Sequence, residues 1–118
     1  MSTAVLTPAP IVPAAVYVRL KHEINLAAMT QELCSLRFSI ILLARWEASQ
    51  NLDKENLVEL REELADLRVL YFDKIDEIAM TFGVQQAMQT KDTVERNVTV
   101  PNDMMPPMKP KEQEQLYF

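Results

Sequence analysis

Glycine is almost absent from this chain, which has one glycine among its 118 residues. Loops that bind phosphate through backbone N–H groups, and the tight turns of β-hairpins, depend on glycine because it adopts their backbone angles without strain. The sequence also contains no Gly-rich phosphate-binding motif and no Ser-His-Asp order. We therefore expect a protein that is not an enzyme and that has no small-molecule substrate.

Cysteine and histidine are equally scarce, with Cys34 and His22 the single example of each. A lone cysteine excludes an internal disulfide and a Cys-based zinc site, and it fits a reducing compartment. His22 and Cys34 are more than three helical turns apart, so they cannot meet within one helix. Met104, Met105 and Met108 could bind Cu(I) through their thioethers, but such clusters also form adaptable apolar contacts. We expect no metal and no cofactor.

The net charge is −5, from 17 acidic and 12 basic residues. A nucleic-acid-binding protein usually presents a basic face, so we expect no nucleic-acid partner. The first residues lack the basic start of a secretory signal, and Pro8, Pro10 and Pro13 interrupt the apolar run. The uninterrupted apolar run 40–44 is far shorter than the roughly 20 residues that cross a bilayer. These observations predict no membrane span and a location in the cytoplasm, or in a complex assembled there.

The segment around which the chain is organised is a long helix, predicted to begin just after Pro13 and to end near Ser49. On a helical projection its apolar residues form two stripes, roughly 160° apart. The first stripe contains Leu26, Met29, Leu33, Leu36, Ile40 and Leu43. The second stripe contains Leu20, Ile24, Ala27, Cys34, Phe38, Ile41 and Leu42. A helix that is apolar on two faces must be covered on both, and one neighbouring helix covers only one.

A second helix is predicted from about Asp53 to Phe82, ending near Gly83, with a continuation through Val84 to Gln89 as an alternative. Asn51 or Asp53 would cap its first turn. Its apolar residues recur at spacings of three and four, as in a coiled-coil seam. The seam contains Leu57, Leu60, Leu64, Leu67, Tyr71, Ile75, Ile78 and Phe82. One continuous helix of about 70 residues is the alternative, but a hairpin buries more apolar surface.

Two further strips lie on the second helix. An acidic strip, across from the seam, contains Glu55, Glu59, Glu62, Glu63, Asp66, Asp73 and Glu77. It is either a solvated face or a docking surface for a basic partner. Between it and the seam lies a small apolar strip of Val58, Ala65, Val69 and Phe72. Phe72 is large to leave in water, which suggests a second contact surface.

We therefore predict an all-α protein: an antiparallel, coiled-coil-like hairpin of two helices over residues 16–90. An extended Pro-rich arm, residues 1–15, would precede it. An irregular tail containing Pro and Met, residues 91–118, would follow it, and residues 98–100 could add a strand to a partner's sheet. Because its core is incomplete, the hairpin would oligomerise or dock on a partner protein.

These features favour a non-enzymatic structural or assembly subunit of a larger protein complex, with a protein partner or a homo-oligomer. We predict the partner contact at Leu20, Ile24, Cys34, Phe38, Ile41, Leu42, Val69 and Phe72. The alternative is a small acidic regulator or chaperone that binds a basic client transiently through the acidic strip. An enzyme or metal carrier is a third hypothesis, which bound metal in the purified protein would support.

Overall fold

The computed structural model describes residue 11 and residues 13–107, which are 85% helical and contain no strand. The helices are α1 (Ala14–Ser49), α2 (Lys54–Phe82) and α3 (Val84–Asn97), followed by a short 3-10 turn at Asn102–Met104. The prediction of an all-α protein is confirmed, with a third helix in addition to the two expected. Most of the N-terminal arm and the last part of the tail, residues 108–118, lie outside the described residues.

The ends of α1 follow from local backbone chemistry. Pro13 precedes the helix with an extended backbone, and its carbonyl accepts from the N–H groups of Val16 and Tyr17 at 3.0 and 3.1 Å. At the other end Gln50 adopts the left-handed conformation, with φ 58° and ψ 24°. A left-handed residue stops an α-helix. The chain therefore breaks between α1 and α2, and the continuous helix of about 70 residues does not form.

Helix α2 begins at a side-chain cap. Asp53 accepts a hydrogen bond from the backbone N–H of Asn56 at 2.9 Å, and Glu55 lies in the first turn, where the helix dipole favours negative charge. The helix ends at Phe82 because Gly83 has φ 98° and ψ 154°, a combination that is largely restricted to glycine. That single residue separates α2 from α3.

Helix α3 corrects the predicted boundary of the tail. We expected residues 91–118 to be irregular, whereas α3 continues to Asn97, so the irregular segment begins at 98. The helix is polar overall, yet Ala87, Thr90 and Val94 are buried on one side of it. Three small side chains give a weak periodic signal, which is why the sequence predicted no more than a short continuation to Gln89. Residues 98–100 form no strand.

The core lies where the three helices meet. Its buried members are Met29, Leu33, Ile40, Leu64, Tyr71, Ile75, Ile78, Ala87 and Val94. The first stripe of α1 is buried or half-buried throughout, and so is the seam of α2. The His22 ring lies 4.5 Å from the Phe82 ring, and Lys74 Nζ lies 2.7 Å from Glu32 Oε2. Early residues of α1 therefore contact late residues of α2.

The chain's own C-terminal segment, residues 98–107, lies against the last part of α1. The indole N–H of Trp46 donates to the Met104 carbonyl at 3.0 Å, and the Asn51 side-chain amide donates to the Pro107 carbonyl at 3.5 Å. Val100 is buried, and Val98 packs against the core. Part of the segment that we expected to reach neighbouring proteins is thus used within the chain.

Helix α1 is long and apolar enough, by length and composition, to cross a membrane. The expectation of no membrane span rested on the short apolar run 40–44, and it stays a prediction because length and composition alone do not test it. Core helices of folded domains pass the same test, but only 17% of the most apolar window of α1 is buried. Much of this apolar helix therefore faces outward from the described fold.

A matched pair of substitutions in α1 tests which stripe faces the core. Leu33 is 0% exposed, and Leu20, on the second stripe, is 47% exposed. Leu33→Ala is expected to lower the free energy of unfolding by about 2–5 kcal/mol, because it leaves a cavity among packed side chains. Leu20→Ala should cost well under half of that. Urea denaturation followed by circular dichroism measures both, and equal losses would contradict the assignment of the stripes.

The conformation of Gly83 generates a second prediction about stability. A Cβ atom built at this position meets nothing within 4 Å, so any penalty must come from the backbone angles alone. Gly83→Ala is expected to destabilise the fold by about 1–3 kcal/mol, because a side chain disfavours φ 98°. Ala65→Gly, at an exposed position inside α2, is the contrasting control and should cost about 0.5–1 kcal/mol through helix propensity. A Gly83→Ala variant as stable as the unaltered protein would contradict the prediction and would show that the connection between α2 and α3 can adopt other backbone angles.

Candidate interaction surfaces

The structure divides the second stripe of α1 into two parts. Leu20 and Ile24, in the first half of the helix, are exposed, with Ile24 at 69%. The other predicted contact residues of the helix are half-buried within the chain: Cys34, Phe38, Ile41 and Leu42. An open groove of about 640 Å³ also runs along residues 23–35 of α1. All its lining residues belong to this helix: Glu23, Leu26, Ala27, Thr30, Gln31, Cys34 and Ser35.

The apolar strip of α2 is a second exposed surface. Val69 and Phe72, the two contact residues predicted on this helix, are 59% and 56% exposed. Val58 and Ala65 are exposed as well. The Phe72 ring meets the ring of Tyr71, a residue of the core, edge to face, with centroids 5.6 Å apart. This strip is an apolar surface with an aromatic member.

All seven carboxylates of the acidic strip are exposed. Glu77 pairs with Lys74 at 2.9 Å, and Lys74 also bridges to Glu32 on α1. Hydrogen bonds to Glu32 and then to Glu77 raise the pKa of Lys74. The other six acids form no ion pair with any residue that the structure describes. Their charge remains available to the surroundings.

A further exposed surface is the segment of α1 that precedes its contact with α2, of which only Leu20 was among the predicted contact residues. The His22 ring packs against Phe82, the last residue of α2, and the preceding residues 14–21 are all exposed. Val16, Tyr17, Val18 and Leu20 are the large apolar members of this projecting segment. The signal for it is present in the sequence, because residues 1–18 contain no charged side chain.

Two basic side chains follow that apolar stretch. Arg19 Nε lies 3.4 Å from Glu23 Oε1 in an exposed pair, and Lys21 Nζ lies 5.3 Å from the centre of the Tyr17 ring. Exposed pairs of this kind are worth little because water competes for both charges. The guanidinium and ammonium groups therefore remain accessible to another negatively charged surface.

Groups with potential for chemistry are dispersed across the described residues. His22 packs against a phenylalanine ring, and Cys34 is a free, half-buried thiol. Among residues 11 and 13–107, no group of three or more His, Cys, Asp or Glu side chains could hold a metal ion. Met104 and Met105 lie within the C-terminal segment, whereas Met108 lies outside the described residues.

A polar cluster lies at the junction of the three helices. The Tyr71 hydroxyl and the Arg37 Nε atom are buried and have no hydrogen-bond partner among the described residues. Burial raises the pKa of Tyr71 to about 12, the carboxylate of Glu95 on α3 adds to this, and Arg37 opposes it. Glu95 pairs with Lys91 at 2.8 Å. The cluster connects α1, α2 and α3 through charge.

No protein-family model, curated protein or solved structure matches the chain.

The raised pKa of Tyr71 predicts how stability depends on alkaline pH. Folding favours the protonated hydroxyl, so this contribution is complete below pH 10 and is lost as the pH rises through about 12. Tyr71→Phe should therefore reduce the loss of stability between pH 10 and 12, and at neutral pH it should cost little because it removes an unpaired buried hydroxyl. Urea denaturation at pH 8 and pH 11 measures the effect.

The exposed Tyr17 supplies the matched control. Tyr17→Phe makes the same substitution at an exposed position outside the core, so it measures the effect of losing a tyrosine hydroxyl apart from burial. If Tyr71→Phe and Tyr17→Phe lost stability in parallel with the unaltered protein, the hydroxyl at the three-helix junction would not be the group that titrates.

Proposed function

We propose that this protein is a non-enzymatic structural or assembly subunit. In this proposal α1 and α2 act as an antiparallel, coiled-coil-like hairpin that α3 braces and that docks within a larger protein complex. The single observation that carries it is the exposure of apolar side chains on two helices: Leu20 and Ile24 on α1, and Val69 and Phe72 on α2. These residues occupy faces that the chain's own core does not use.

The energetic argument rests on the cost of exposing such side chains to water. Covering a large aliphatic or aromatic side chain is worth roughly 1.5–3 kcal/mol before the costs of association are subtracted. Isolated apolar residues are common on protein surfaces, but larger apolar patches are typical of binding sites. Four such side chains, two on each helix, supply the kind of apolar anchors on which stable interfaces depend.

Among the predicted contact residues, the exposed ones make the better candidates for direct contact. Cys34, Phe38, Ile41 and Leu42 are half-buried, so in this proposal they support the helix more than they touch a partner. The occupant is either a second copy of the chain or a different protein subunit in the same compartment, which we take to be the cytoplasm. The following experiment separates these two cases.

Two double substitutions test the proposal: Leu20→Asp with Ile24→Asp, and Val69→Asp with Phe72→Asp. Light scattering after size-exclusion chromatography should show an oligomer for the unaltered protein, and a smaller species for at least one double variant. Circular dichroism should show unchanged helicity, because all four positions are exposed. The matched control is Val84→Asp with Met88→Asp, which alters two exposed apolar residues of α3 and should leave the oligomer intact.

If light scattering shows that the unaltered protein is a monomer, the proposed partner is a different protein subunit. Affinity capture from the source cells should then yield a protein that the unaltered chain and the α3 control retain, and that one of the double variants loses. A monomer whose captured proteins are the same for every variant would contradict the assembly proposal.

A second candidate function is supported by the acidic strip. Six exposed carboxylates without an ion-pair partner among the described residues would suit a regulator or chaperone that binds a basic client transiently. Such binding should weaken steeply as salt is added, since exposed charges are screened over about 8 Å at physiological ionic strength. Glu59→Gln with Glu63→Gln should weaken capture of a basic client at low salt. Retention that is insensitive to salt would favour the apolar surfaces instead.

A further inference from the structure

We propose that the projecting segment of α1, residues 14–21, binds the surface of a lipid membrane that carries negatively charged headgroups. This activity is additional to the proposed assembly role and does not depend on it. The first supporting observation is the length of α1 that extends beyond the end of α2. Phe82 ends α2 against His22, so about two turns of α1, roughly 12 Å at 1.5 Å per residue, lie past the end of their neighbour.

The composition of this segment differs from that of an ordinary docking face. Val16, Tyr17 and Val18 are consecutive on the helix, so their side chains point in three directions, and all three are exposed. A partner helix would cover one direction only, whereas a lipid phase surrounds an inserted segment on every side.

The charges around the segment complement an anionic surface. No charged side chain occurs in residues 1–18, and Arg19 and Lys21 follow immediately. Lys21 lies over the Tyr17 ring, so an aromatic side chain and a cation are adjacent, as is typical of residues at a membrane–water interface. Membrane attachment that combines an apolar insertion with basic residues is stronger than either signal alone.

The rest of the chain carries the opposite charge. Removing Arg19 and Lys21 from the net charge of −5 leaves −7 on residues 23–118. An anionic surface therefore attracts the projecting segment and repels the body, including the acidic strip of α2, so the helix would meet the membrane end first. The proposal does not extend to a helix that crosses the membrane, because Leu33 and Ile40 of α1 belong to the core formed by the three helices. We infer attachment at the interface, with the three helices remaining folded.

Flotation of the full-length protein with lipid vesicles tests the proposal. Vesicles of phosphatidylcholine with about 30% phosphatidylglycerol should bind the protein, and vesicles of phosphatidylcholine alone should bind it at least about tenfold more weakly. Arg19→Glu with Lys21→Glu should weaken binding to the anionic vesicles by roughly 30-fold or more, from about fivefold for each basic residue that is lost. The matched control is Arg61→Glu with Arg68→Glu, the same change at two exposed positions on α2, which should bind as the unaltered protein does.

A second set of variants tests the contribution of the apolar side chains to vesicle binding. Val16→Asp with Val18→Asp should reduce vesicle binding by about tenfold or more, whereas Val84→Asp with Met88→Asp, at two exposed apolar positions of α3, should not. Circular dichroism confirms folding, since all these positions lie outside the core. Equal binding to neutral vesicles, or equal loss in a control variant, would overturn the proposal. So would absence of flotation, or a change of oligomeric state on Arg19→Glu with Lys21→Glu, which would make a second copy the occupant.

Discussion

A helix with two apolar faces imposes the constraint on which the rest of this structure depends. The first stripe of α1 is closed by α2 and α3, and Leu33 has no exposed surface there. On the opposite face Cys34, Phe38, Ile41 and Leu42 are half-buried, whereas Leu20 and Ile24 are exposed. What remains open is the first half of the helix. The proposed membrane contact, and the α1 part of the proposed assembly surface, both lie in this exposed first half.

Regular periodicity made much of the fold accessible from the sequence. The ends of α1, the cap at Asp53 and the seam of α2 all follow from short-range patterns of apolar, capping and helix-breaking residues. Helix α3 was underestimated because its buried side is made of small residues such as Ala87 and Thr90 in a polar stretch. Its packing depends on a groove that exists only after α1 and α2 have met, and no local pattern encodes that groove.

The surfaces illustrate a different limit. Exposure of the acidic strip could be inferred from its angle to the seam, because helix geometry fixes which residues share a face. The partial burial of Phe38 and Ile41 could not, since it depends on tertiary contacts from segments distant in sequence. Similarly, the exposure of Val16 and Val18 depends on α2 ending at Phe82. Where one helix stops relative to another is a property of the assembled bundle.

The hydrogen bond between Trp46 and Met104 also provides an optical signal. Trp46 is the single tryptophan of the chain, and its indole N–H is held by the segment that covers the end of α1. Indole fluorescence responds to the polarity and hydrogen bonding of its surroundings. Detachment of the segment would therefore change the emission of the intact protein directly, without a label. Trp46 therefore both binds the C-terminal segment and provides the fluorescence signal that detects its detachment.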